Sequence, residues 1–285
     1  QKDLEGMIHK IPSMGRYDHR AHAGNAGDVW KHFLLLEAAD WVVKDSGRLI
    51  YLESHCGRPH YLLKAPGEWE GGIGRIWHLL PSLKAFAYFR ILSELNPSSA
   101  FGPSGLLYPG SARQIRELSR SRGADLQAEI WDINPDVAAS WQDFLSEEAS
   151  LSSRLRTGIC FHQADGFSGL LSHLSRPSSD HSPGLLFIDP PYVEAQDAIL
   201  AEKLLQKARE GGWIILWWYM TDMMTAPEDL DTLELEFAPA GLDGGRWKGA
   251  GVAVAGPEGD QLSHLLHSLG RSMRELIRIL KLDRI

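Results

Sequence analysis

Apolar residues follow two rhythms along this chain. Short unbroken runs such as Leu49-Ile50-Tyr51-Leu52 and Leu185-Leu186-Phe187-Ile188 are bounded by Gly, Pro or acid, and read as strands buried on both faces. Between them, apolar positions recur at helical spacing: Phe33, Leu36 and Val43 lie roughly on one face of a helix that Asp28 is expected to cap and Gly47 to stop. Carried along the chain, the pattern predicts strands at 48–53, 126–131, 158–163, 184–188, 213–219, 232–239 and 249–255. Helices are expected at 29–46, 83–95, 111–122, 135–147, 195–210 and 261–282.

Strands alternating with helices predict an α/β fold built on a seven-stranded, mostly parallel sheet, Rossmann-like in layout. The first two strands are more than 70 residues apart, whereas a simple βαβ unit takes about 30. The excess predicts a helical insertion at about 62–106, placed over the ligand edge of the sheet. Residues 1–15 have no periodicity and read as a flexible leader, leaving 16–285 as one domain.

Composition narrows the class. With 285 residues and 44% hydrophobic content, the chain is long enough for one large α/β core plus an insertion. The two cysteines, Cys56 and Cys160, are too few for a disulfide framework and have no paired metal spacing, which points to a reducing cytoplasm. No signal peptide is apparent, and the most apolar stretch, Trp213 to Met220, is too short to span a bilayer. A formal charge of -8 counts against a broad nucleic-acid surface, so any such site must be a local basic patch. The connector Arg246-Trp247-Lys248 and the end of the last helix, with Arg271, Arg274, Arg278, Lys281 and Arg284, are locally basic; such a run is often only a solvated face.

The chemistry centres on Asp189-Pro190-Pro191-Tyr192, which follows the apolar run 184–188. Asp189 then falls at the carboxyl end of a strand, where open α/β sheets bind ligands. Two prolines stiffen the segment, so the Asp189 carboxylate, the Pro190 carbonyl and the Tyr192 ring can face one point. Two acceptors and a stacking ring suit the exocyclic amine of a nucleobase. Asp132 and Asp165 end two further strands, although Asp132-Ile133-Asn134-Pro135 is also a good helix start. The histidines lack close ligand spacing, and no metal is expected.

The order Tyr17…His22-Ala23-Gly24-Asn25…Asp28-Val29…Lys31-His32, then Tyr51-Leu52…His55, Tyr108-Pro109-Gly110-Ser111, Ala164-Asp165-Gly166-Phe167 and Ile188-Asp189-Pro190-Pro191-Tyr192 is specific. In these blocks, from about Tyr17 to Ala255, the chain resembles the bacterial 23S ribosomal RNA adenine-N6 methyltransferases, whose relatives include competence-linked proteins for using external DNA. The resemblance implies a class I, S-adenosyl-L-methionine-dependent fold acting on ribosomal RNA as a monomer. By position, His32, His55, Ser111, Asp132, Asp165 and Gly166 would contact S-adenosylmethionine, with Asp189 catalytic and Tyr17 near the substrate base. Read alone, His32 and His55 are ordinary packed histidines. The chain departs from the family pattern at Asp18, where Arg is usual, and at Glu53, Arg58 and Pro59, which replace a more usual acid-and-glycine turn. A DNA adenine methyltransferase and a diverged, non-catalytic nucleotide-binding protein stay open as alternatives.

Overall fold

The computed structural model describes residues 22–97, 105–150, 157–176, 184–193, 195–257 and 259–282. The leader at 1–15, Tyr17, Asp18, Arg284 and most of the Ser/Pro-rich link before residue 184 lie outside the described residues.

Helix α1 (Ala26–Ser46) opens the described chain. Its cap is Asn25, not Asp28 as the pattern suggested: Asn25 Oδ1 accepts from Asp28 N at 2.9 Å. Asn is among the best residues for satisfying the orphan N–H groups of a first turn, and this frees the Asp28 carboxylate for other partners. Gly47, at φ 64°, stops the helix in the left-handed region that glycine enters at little cost.

Strand β1 (Arg48–Glu53) is followed by a ribbon of β2 (His60–Leu62) and β3 (Leu107–Pro109), paired antiparallel. This ribbon brackets the insertion, which holds α2 (Ile73–Ile76), α3 (Leu80–Leu83) and α4 (Ala87–Leu95). The expected 83–95 helix is thus two elements, because Phe86 turns extended between them. The described residues of the insertion do not sit over the ligand edge as a body. Its helix α4 packs on α1, where Phe33 meets Phe86 edge-on at 5.3 Å and Glu37 Oε1 accepts from Ala87 N at 2.9 Å; among its described residues only the Gly67–Gly71 turn reaches the cavity described below.

The rest alternates much as expected: α5 (Ser111–Arg122), β4 (Asp125–Trp131), α6 (Pro135–Ser150), β5 (Thr157–His162), α7 (Gly166–Leu174, a helix the pattern did not predict), β6 (Gly184–Ile188), α8 (Ala195–Glu210) and β7 (Ile214–Met220). Then come β8 (Asp231–Glu236), β9 (Gly249–Ala255) and α9 (Asp260–Leu282). Strand β8 ends short of the expected 239, because Ala238–Ala240 turns as a 3-10 helix around Pro239, which has no N–H to give a ladder.

The seven strands form one sheet in the order β5-β4-β1-β6-β7-β9-β8. Pairs from β5 to β7 are parallel, and β9 is antiparallel to both its neighbours. All of β6 and β9 is buried. The chain runs outward from β1 to β5 and then returns to place β6 on the other side of β1. That reversal opens a crevice beyond the carboxyl ends of β1 and β6, the usual ligand position in such sheets.

Candidate active site

The carboxyl ends of β4, β5 and β6 open into one cavity of about 1280 Å3, more than the roughly 300–1,000 Å3 that holds a single small molecule. Asp132, Asp165 and Asp189 all line it, as do Pro190 and Tyr192. His32, His55, Ser111 and Gly166 line it too.

Asp189 is tied to helix α1. Lys31 Nζ lies 2.8 Å from Asp189 Oδ2 and 2.9 Å from Asp28 Oδ1, and 4.7 Å from the ring centroid of Trp218. Lys31 and Asp28 are buried, and Asp28 also accepts from Gly24 N at 2.8 Å. An ammonium this dehydrated requires close anions. It holds the Asp189 carboxylate in place at the strand end.

Tyr192 is placed differently from the expected stacking ring. Its side chain is only 3% exposed; the hydroxyl donates to Trp218 O at 2.5 Å and accepts from Trp217 Nε1 at 2.7 Å. The backbone at Tyr192 has φ 49°, rare for a bulky residue and often a mark of functional sites. The ring is therefore fixed in the cavity floor, and burial pushes its phenol well above the usual range. Trp218, which lines the cavity beside it, is the more open aromatic.

On the other side, several expected contact groups already have partners. Asp132 Oδ1 accepts from Asn134 N at 2.8 Å and Oδ2 from Gly57 N at 3.1 Å, so Asp132 also organises the altered turn after β1. That turn is braced: Trp141 Nε1 donates to Gly57 O at 2.8 Å, and Gly110 N donates to Pro59 O at 3.0 Å. Asp165 caps α7 by accepting from Ser168 N at 2.8 Å. His32 Nδ1 is 2.9 Å from the Tyr108 hydroxyl. Ser111 donates to Glu53 Oε1, and Tyr51 donates to Glu53 Oε2 at 2.9 Å.

Glu53 closes β1 with no exposed surface. Burial pushes its carboxyl up to about 8, with nearby Asp189 adding to the rise and the Ser111 and Tyr51 hydroxyls opposing it. His55 moves the other way, since burial drops its imidazole to about 4 and leaves it neutral at pH 7. Gly166 is required on steric grounds: a Cβ there would overlap the carbonyl of Ser54.

Ile133 was not singled out from the sequence, although an apolar side chain between a strand-ending acid and a helix start is a usable signal. It is 69% exposed on the cavity wall. Lys31 belonged to the resembling block without a separate role, and Trp218 read only as strand filling. Among the described residues, Glu129, Cys160 and His162 bring three potential metal ligands within 4.8 Å of one another. They lie on β4 and β5 outside the cavity, with His162 Nε2 2.6 Å from Glu129 Oε2.

Comparison with known proteins follows the same lines. Residues 46–241 match the family described as "Ribosomal RNA large subunit methyltransferase D, RlmJ". The chain is 31% identical over 188 residues to the Escherichia coli protein named "Ribosomal RNA large subunit methyltransferase J", a match covering 64% of this chain and 60% of that one. It is 29% identical over 199 residues to the Haemophilus influenzae protein of the same name, covering 67% and 64%. A Legionella pneumophila protein of known crystal structure shares the fold with a TM-score of 0.66 at 23% identity, over 91% of this chain and 94% of that one. The matched region thus spans less than two thirds of the length of either named relative. With more than half of its length matched, the chain belongs to the RlmJ family of ribosomal RNA large subunit methyltransferases.

Proposed function

We propose that this chain transfers a methyl group from S-adenosylmethionine to N6 of an adenine in 23S ribosomal RNA, acting as a cytoplasmic monomer. The observation that carries the reading is the Asp189 carboxylate, held at the end of β6 by Lys31 inside a cavity shared with Asp132 and Asp165. Names carried by relatives with partial coverage support the same substrate class.

The residues present fit the methyl donor. Ile133 offers an exposed apolar face inside a polar wall, suited to a flat aromatic ring, and the Asp132 carboxylate stands beside it in the same cavity. Asp165, Gly166 and the neutral His55 complete that side, while His32 and Ser111 position it through Tyr108 and Glu53. S-adenosylmethionine, when bound, supplies an electrophilic methyl group on a sulfonium.

The chain's own groups prepare the acceptor nitrogen. Asp189 and the Pro190 carbonyl accept the two hydrogens of the amine, which draws its lone pair out of the ring and aims it. Lys31 pairs with the Asp189 carboxylate, so Asp189 works as an acceptor; the N6 proton passes to water once the nitrogen carries positive charge. Orientation supplies most of the rate. The adenine reaches the site by leaving its stack, at a cost of a few kcal/mol. Trp218 and the Tyr192 corner form the wall that receives it, and Tyr17 is assigned to the same base.

The test is methyl incorporation into a 23S ribosomal RNA fragment, with DNA and protein as parallel acceptors. Asp189→Ala should abolish transfer to RNA while calorimetry finds S-adenosylmethionine affinity within about threefold, since an interaction made mainly in the transition state is lost. Continued transfer by the variant near the wild-type rate would sink the assignment. Preferential labelling of DNA would change the substrate.

A further inference from the structure

One wall of the cavity belongs neither to the cofactor side nor to the Asp189 corner. It is the connection between β8 and β9, where Asp243, Arg246 and Trp247 line the same space as Asp189. Strand order explains its position. Asp132 and Asp165 follow β4 and β5 to one side of β6, whereas β9 lies beyond β7 on the other. Two strand spacings, about 10 Å, separate β6 from β9.

The connection is braced. Phe237 N donates to Lys248 O at 2.8 Å, Lys248 N to Asp222 Oδ2 at 2.6 Å, and Asp243 N to Gly71 O of the insertion at 2.8 Å. Gly244 has no room for a side chain against Phe237 and the Trp247 carbonyl. On this frame Trp247 is half-buried against the core, and the exposed Arg246 lays its guanidinium 4.4 Å from the Trp247 ring centroid. Guanidinium planes and aromatic rings are the two platforms on which unpaired RNA bases stack. The cavity lining here includes Asp243, paired with Arg75 at 3.5 Å, Glu68, paired with His22 at 2.8 Å, and Glu70; with these basic groups already engaged by acids, this wall suits the base of a nucleotide better than its phosphate.

We propose that Arg246, backed by Trp247, forms a second base-stacking subsite that holds a nucleotide flanking the target adenine in single-stranded RNA. The proposal rests on the RNA reading given above. A base laid on the guanidinium continues the Arg246–Trp247 stack, so the RNA is gripped on the side of Asp189 opposite the methyl donor. This also answers how an acidic protein holds RNA locally, by planar stacking in place of a broad basic surface.

The test uses the full chain and a short single-stranded RNA containing the target, together with copies made abasic at the 5′ or the 3′ neighbour. Arg246→Gln and Trp247→Ala should each raise KM for the intact RNA about tenfold, leaving saturated kcat and S-adenosylmethionine affinity unchanged. One abasic RNA should impose a similar loss on the wild type and add little to either variant. Arg246→Lys should fail to rescue, because an ammonium keeps the charge and loses the plane. Full activity in Arg246→Lys would identify a phosphate contact and overturn the subsite. Equal use of all three RNAs by the wild type would overturn it as well, and that result needs no variant to fold. A wild type that transfers no methyl group to any RNA would instead defeat the RNA reading itself, and the subsite with it.

Discussion

The Lys31 ammonium bridges Asp189 and Asp28, 2.8 Å from the first carboxylate and 2.9 Å from the second. Through this one side chain, the first helix reaches across the sheet and holds the acid that ends β6. The Lys31–Asp189 pair joins residues 158 positions apart.

Removing the bridge should cost stability as well as activity. Lys31→Met leaves the buried Asp28 and the partly exposed Asp189 without their shared cation, and the expected loss is about 3 kcal/mol, seen as a lower urea midpoint. Adding Asp28→Asn to Lys31→Met should recover part of that loss, because one stranded charge is gone. No recovery would mean that Asp28 and Lys31 do not act as a unit.

Glu53 should give folding stability an alkaline slope. Its carboxyl titrates near 8 when folded, against 4.5 as the ordinary value. Between those limits the folded chain holds a proton that the unfolded chain has released. The stabilisation is therefore full below pH 4.5 and is lost as pH rises through 8. His55, lowered to about 4 from 6.5, has the opposite sign: stability falls as pH drops from 6.5 toward 4. Between pH 6.5 and 8.5 the Glu53 slope stands apart from that of His55. Denaturation midpoints measured across that window should decline in the wild type and stay nearly flat in Glu53→Gln.

Two glycines with different reasons to be glycine provide a control for each other. At Gly166 an added Cβ overlaps the Ser54 carbonyl, so Gly166→Ala must shift β1 or α7 and should lower thermal stability strongly. At Gly123, φ is 65° with nothing within 4 Å of the added atom. Gly123→Ala should cost about 1 kcal/mol from backbone conformation alone. Comparable losses at the two positions would contradict the close packing of Ser54 against Gly166.

Ile133 should matter to ligand affinity and little to stability. An isoleucine that is 69% exposed has scant packing to lose. Ile133→Asp should keep the melting temperature within a degree or two, in line with the small effect of surface substitutions. It should weaken S-adenosylmethionine binding about tenfold or more in calorimetry, as apolar contact with the ring is replaced by a carboxylate. Unchanged affinity would move the cofactor's ring off this wall.

The sequence by itself determined the strands and most helices, because apolar runs of five or six residues ended by Gly, Pro or Asp have few other uses. It also determined that three acids would stand at strand ends, since chain direction in a parallel sheet puts those ends on one edge. Capping and pairing were decided only by the fold. Asn25 displaced Asp28 as cap because Lys31 gave the aspartate a buried partner, and the Tyr192 hydroxyl went to Trp217 and Trp218 because β7 lies next to β6. The insertion settled on α1 because Glu37 and Phe33 offered it a cap and a ring face. Periodicity records which face of an element is buried; which distant residue meets it depends on strand order, and here that order brought the first helix, the β6 acid and the β8–β9 connection to one cavity.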